Sequence, residues 1–197
     1  MDGSVFDRNY FHGRRKSNYD DYSKSKLTLS NLAKVLYTNF RPASSFDAGG
    51  AYGHLVHGLR RRGVKAWGMD ISSYAVNHSP FMRQGDICTL TDSQRYDLVT
   101  CTDVLEHIPE HLLEQALKGL WGITGKHLVL IIALESHALK DRDKTHITMR
   151  PRQWWEEKFA KLGYPSNPEK EKALNNNRLC RKMGWTGRIF VLQKEGS

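Results

Sequence analysis

The stretch Phe46-Asp47-Ala48-Gly49-Gly50-Ala51-Tyr52-Gly53 sets an acidic residue and a run of glycines at the end of a short apolar segment, residues 43–48. Immediately beyond it, GHLVHGLRRR (53–62) carries apolar residues at helical spacing and stops at Gly63. Strand, glycine loop and helix in that order open a nucleotide-type binding fold, with the ligand at the loop. Asp47 separates two ligand classes. A dinucleotide site aims its loop and helix N-terminus at a pyrophosphate, and a carboxylate beside it repels that charge. A ligand bearing positive charge is favoured by the same carboxylate.

Working outward, strands are expected at 64–70, 81–87, 96–104, 127–134 and 187–195. Between them the pattern predicts a short helix capped by Ser72, a helix over 109–122 opened by Pro109, and a helix over 151–162 between Pro151 and Gly163. A polar loop carrying Arg178 and Arg181 is expected before the last strand. Strands alternating with helices imply an α/β fold, a parallel sheet covered on both faces, with ligands bound beyond the carboxyl ends of the strands. Residues 1–40 precede this core. With Tyr10, Phe11, Tyr19, Tyr22 and an expected helix at 26–39, they are read as a lid over the crevice, leaving 41–197 as the main domain.

Further acids fall at successive strand tips. Asp70, followed by Ile71, ends the second strand, where a carboxylate can accept both hydroxyls of a ribose. Asp86-Ile87 ends the third, where an acid can accept from an adenine amino group while the apolar neighbour packs on the ring. Thr102-Asp103-Val104-Leu105-Glu106-His107 ends the fourth. Each also has a plainer reading: Asp47 and Asp70 as caps, Gly85-Asp86 as a turn, Asp103 and Glu106 as acids serving the next helix.

The loop at 47–53, Asp70, Gly85-Asp86-Ile87 and YDLVTCTDVLEHIP (96–109), in this order and spacing, resemble the class I S-adenosylmethionine (SAM)-dependent methyltransferases. Ala51 departs from the pattern, which more often has glycine there. The resemblance implies a Rossmann-like, seven-stranded, mostly parallel sheet ending in an antiparallel strand. It implies SAM as cofactor, held by Asp47, Gly49, Gly53, Asp70, Ile71, Asp86, Ile87 and Thr102. The segments YFHGRRKSNYDDY and THITMRPRQWW further resemble small bacterial members from natural-product and antibiotic pathways, phosphonate O-methyltransferases among them. That likeness implies O-methylation of a small anionic acceptor, with His107 and His146 in catalytic positions and Lys16, Tyr19, Arg150 and Arg178 binding the substrate.

Composition narrows the alternatives. The chain has 197 residues, 39% hydrophobic and 26% charged, which suits one folded domain. Its longest apolar run, 128–134, is far short of the roughly 20 residues a membrane helix needs. Three cysteines without a CxxC pair argue against a disulfide framework or structural zinc, so no metal is expected and a reducing cytoplasm is the simplest setting. The net charge of +9 is spread out rather than gathered in an aromatic-studded stripe, which makes nucleic acid a weaker partner than a small anion. Competing readings are a sugar or nucleoside hydroxyl methyltransferase using a histidine base, an RNA methyltransferase, and a dinucleotide-dependent oxidoreductase.

Overall fold

The structure is a computed structural model that describes residues 3–13, 21–136, 143–194 and 196. Six strands form one sheet: β1 (Ser44–Ala48), β2 (Lys65–Asp70), β3 (Met82–Gln84), β4 (Tyr96–Thr102), β5 (Thr124–Ile131) and β6 (Ile189–Gln193). Their spatial order is β3-β2-β1-β4-β5-β6, with β6 antiparallel to β5 and every other pair parallel. The order reverses between β1 and β4, so the carboxyl ends of β1, β2 and β4 open on a shared crevice.

Helices α1 (Arg8–His12), α2 (Ser25–Phe40), α3 (His54–Arg60), α4 (Ser73–Val76), α5 (Glu110–Ile123), α6 (Arg152–Lys161), α7 (Pro168–Asn176) and α8 (Arg178–Lys182) complete the described chain. They cover both faces, and the period-two alternation of the strands divides the core accordingly. Leu98, Val129, Ile131, Ile189 and Val191 pack with Leu32 and Leu36 of α2 and Leu55 and Leu59 of α3. Val99, Cys101, Leu128, Leu130 and Phe190 pack with Leu113, Leu117 and Leu120 of α5 and Trp155 of α6. The three α5 leucines are fully enclosed, each stabilising the fold by about 1.5–3 kcal/mol through apolar burial.

The sheet has six strands where seven were expected. The segment Pro165-Ser166-Asn167-Pro168 lies beside β6 but makes a single antiparallel bridge, Ser166 to Leu192. Two bonds hold it, Asn167 N to Val191 O at 2.7 Å and Gln193 N to Pro165 O at 2.9 Å. The flanking prolines have no N–H to extend a ladder, and Pro168 instead starts α7. The expected loop around Arg178 is likewise helical, α7 and α8 sharing Asn177, whose side chain accepts from Leu179 N. β5 starts three residues early because Thr124 closes α5 by donating to Leu120 O and pairs at once with Tyr96.

Candidate active site

Beyond the tips of β1, β2 and β4 lies a cavity partly open to solvent. Its floor is built from Gly49, Ala51, Asp70, Ile71, Asp86 and Ile87, its far end from Thr102, Asp103, Val104 and His107. Phe6, Tyr10, Phe11 and Tyr22 of the N-terminal segment form the cover.

The glycine loop is shaped by close approach. Gly49 has φ 78°, and a Cβ there would stand 2.3 Å from Val104 Cγ2. Ala51 also adopts positive φ, 47°, which costs a non-glycine residue about 1–2 kcal/mol. It is held there because its N–H donates to Asp70 Oδ2 at 2.8 Å. Asp70 Oδ1 accepts from Ser72 N at 2.9 Å, and burial raises its carboxyl against those backbone donors. Asp70 lines the cavity, and its two oxygens have acceptor capacity beyond these bonds. Asp86 accepts from Cys88 N at 2.8 Å, the turn that cuts β3 short at Gln84 and points Ile87 into the cavity. The Thr102 hydroxyl is buried and makes no hydrogen bond among the described residues, an unfilled polar position at the β4 tip.

Two expected cofactor residues sit elsewhere. Asp47 is buried beneath the loop and does not line the cavity; it accepts from Thr100 Oγ1 at 2.7 Å. Burial pushes it up to about 7, the neighbouring Asp70 adding to the effect and the Thr100 bond opposing it. Gly53 caps α3 at φ 71°, pressed against Met82, where a Cβ would lie 2.8 Å from Cγ. Neither lines the cavity, and both shape the loop from behind.

At the far end, His107 is buried on a short turn after β4, and His146 packs against it with ring centroids 4.5 Å apart. The 143–148 loop is pinned there because Ile147 N and Thr148 N both donate to Glu106 O, at 3.0 and 2.9 Å, while Thr148 Oγ1 donates to Ile108 O at 2.6 Å. Thr145 Oγ1 lies 2.6 Å from Asp143 Oδ1 and 2.8 Å from His107 Nδ1. Its one proton goes to the carboxylate, so His107 Nδ1 donates to Thr145 and the Nε2 lone pair is left free. Tyr10 OH donates to Asp143 Oδ2 at 2.9 Å, tying the cover to the same chain. Burial, then His146, hold the His107 pKa down at about 4.

The expected anion-binding residues do not converge. Arg150 is exposed and pairs with Glu110 at 2.5 Å; Arg178 is exposed on α8; neither lines the cavity. Lys16 and Tyr19 lie outside the described residues. Reading the sequence also missed Asp143, whose Asp-x-Thr turn was a usable local signal since Asp143 Oδ1 accepts from Thr145 N at 3.0 Å. It missed Phe6, and Arg188, which pairs with Asp103 and donates to Ile132 O at 3.0 Å. Arg188 stands 85 positions from Asp103 and carries no local signal.

A family model described as a methyltransferase domain matches residues 19–172. No curated protein matches the sequence. Among solved structures, magnesium protoporphyrin IX methyltransferase from Synechocystis PCC 6803 with bound SAM superposes with TM-score 0.65 at 18% identity, covering 99% of this chain and 98% of that one. A SAM-dependent methyltransferase from Archaeoglobus fulgidus gives 0.65 at 15% identity, with coverages of 86% and 95%. The plantazolicin methyltransferase BpumL, in complex with a desmethyl substrate analogue and S-adenosylhomocysteine (SAH), gives 0.59 at 12% identity, with coverages of 88% and 85%. These likenesses establish the fold, and the family match, extending over more than half the chain, establishes that this protein belongs to the methyltransferase-domain family.

Proposed function

We propose that the chain is a SAM-dependent O-methyltransferase acting on a small anionic acceptor, with phosphonates the favoured class. SAM fits the residues present: the paired oxygens of Asp70 suit its ribose, Asp86 and Ile87 its adenine, and Thr102 supplies an unused hydroxyl at the β4 tip. When bound, SAM brings a methyl carbon activated by a sulfonium, so the protein has chiefly to align the acceptor and exclude water. Phe6, Tyr10, Phe11 and Tyr22 exclude water and give the N-terminal segment, residues 1–40, its role as a lid.

The acceptor reading is carried by the Asp143–Thr145–His107 chain. It presents a nitrogen lone pair, at His107 Nε2, on the β4 side of the cavity, away from the adenosine residues of β2 and β3. A phosphonate oxygen is already ionised at neutral pH and needs no base. His107, held down at about 4, is neutral there, and Nε2 can accept a hydrogen bond from the remaining P–O–H and orient the ionised oxygen for methylation. An aliphatic hydroxyl would need a general base to take its proton during transfer, and a histidine held down at about 4 is a weak one. The aromatic cover argues against a polynucleotide acceptor. Lys16 and Tyr19, proposed from the sequence as contacts of the acceptor, lie outside the described residues.

No helix among the described residues is long and apolar enough to cross a membrane. The three cysteines, all buried and free, suit the reducing cytoplasm in which such an enzyme of natural-product biosynthesis would work. The test is incubation with labelled SAM and matched sets of phosphonates, carboxylates and sugars, followed by mass spectrometry. Methyl esters of phosphonates are expected; methylation confined to sugars would overturn the acceptor class.

A further inference from the structure

Glu106 and His107 are neighbours on the turn after β4, and the pinned 143–148 loop brings His146 against them. One ligand atom from each of the three lies within 4.8 Å of the others. Glu106 is fully buried: Oε1 accepts from Ala133 N at 2.9 Å, but Oε2 makes no hydrogen bond among the described residues. Arg188 stands 4.0 Å from Oε1 and is already engaged by Asp103 and Ile132 O. A buried acid oxygen with no donor is costly as a carboxylate unless a cation meets it or the acid keeps its proton, and the two imidazoles beside Glu106 make a cation the occupant all three groups can share.

We infer that Glu106, His107 and His146 form a binding site for one divalent transition-metal ion, of the manganese, iron, cobalt or zinc class. Two imidazoles and a carboxylate favour these over magnesium or calcium, which prefer oxygen donors. With Nδ1 committed to Thr145, His107 offers Nε2, and the Thr145–Asp143 pair is the outer support that ligand histidines use. Ligand bonds of about 2.1 Å require the three side chains to close by roughly an ångström, a rotamer-scale adjustment. The ion also answers the charge problem left by Arg150 and Arg178: no arginine or lysine among the described residues lines the cavity. Three protein ligands leave positions open, and His107 carries them to the cavity, where an anionic oxygen can bind and be oriented.

In this role the ion would replace His107 Nε2 as the group that meets the acceptor. Only that role rests on the acceptor reading; metal uptake does not. The experiment strips the untagged full chain with a chelator and titrates it with cobalt(II), following visible d–d absorption and uptake by equilibrium dialysis. Wild type should take up one ion per chain. Glu106→Gln and His146→Gln should each weaken uptake by about tenfold or more, with SAH affinity and circular dichroism unchanged in at least one of them. Two outcomes overturn the site: no uptake by wild type at millimolar cobalt, or uptake indifferent to both substitutions. Uptake without phosphonate methylation keeps the site and removes the acceptor reading; phosphonate methylation by a chain that takes up no metal does the reverse.

Discussion

The Thr145 hydroxyl stands 2.8 Å from Nδ1 of His107 and hands its own proton to Asp143, so one threonine decides which nitrogen of a buried histidine is bare. Three separate stretches of chain meet there. Tyr10 arrives from the cover, His107 from the turn after β4, and Thr145 and Asp143 from the loop beyond β5.

Thr145→Val removes the acceptor for Nδ1 and releases the tautomer. Methyl transfer should fall by roughly tenfold, the worth of one well-placed hydrogen bond, while SAH affinity stays within about twofold. Thr145→Ser should restore the rate, which a merely steric role for the γ-methyl would not allow. Initial rates beside calorimetric SAH binding separate the two.

Asp70→Ala takes away the acceptor for the proposed ribose contact and for Ala51 N and Ser72 N. Calorimetry should show SAH binding weakened by about 1–3 kcal/mol, the cost of leaving such groups unpaired. An unchanged affinity would place the adenosine somewhere other than the β2 tip.

Asp47 is raised to about 7 from an ordinary value of 3.8, chiefly by burial. Its contribution to stability is therefore whole below about pH 4 and is lost progressively as the pH rises through about 7, a ceiling of roughly 4 kcal/mol. Asp47→Asn keeps an oxygen for Thr100 and cannot ionise. Its melting temperature should overtake the wild type's between pH 5 and pH 8, on the order of a few degrees; parallel melting curves across that range would show that Asp47 is already ionised when folded.

Tyr10→Phe cuts the bond from the cover to Asp143. SAH should protect the wild-type N-terminal segment from limited proteolysis, and the variant should lose about 1 kcal/mol of that protection, several-fold in cleavage rate. Equal cleavage of the wild type with and without SAH would remove the lid.

The alternation of strands with helices and the glycine loop were legible because both are local: the first is a pattern along the chain, and the second turns on Gly49 with its positive φ. Asp70, Asp86 and Thr102 reach the cavity for the same reason, each being the last residue of, or within two residues of, a strand. What depended on distant packing was hidden. Asp47 reads as a strand-tip acid, and only the structure shows that Thr100 on the neighbouring strand engages one of its oxygens beneath the loop. Arg150 and Arg178 read as anion binders until Glu110 and the surface of α8 account for them. The seventh strand came from the resemblance alone, and the two prolines around Ser166 are the local reason it shrinks to one bridge.

Arg188 sits just ahead of β6, yet its guanidinium holds Asp103, whose backbone occupies φ 52° at the far end of the cavity. On the ribosome, every glycine and carboxylate of the pocket is made before that arginine is. A nascent chain therefore carries all the pieces of the adenosine end while the strained aspartate beside them lacks its cationic partner until Arg188 and the strand it precedes have been added.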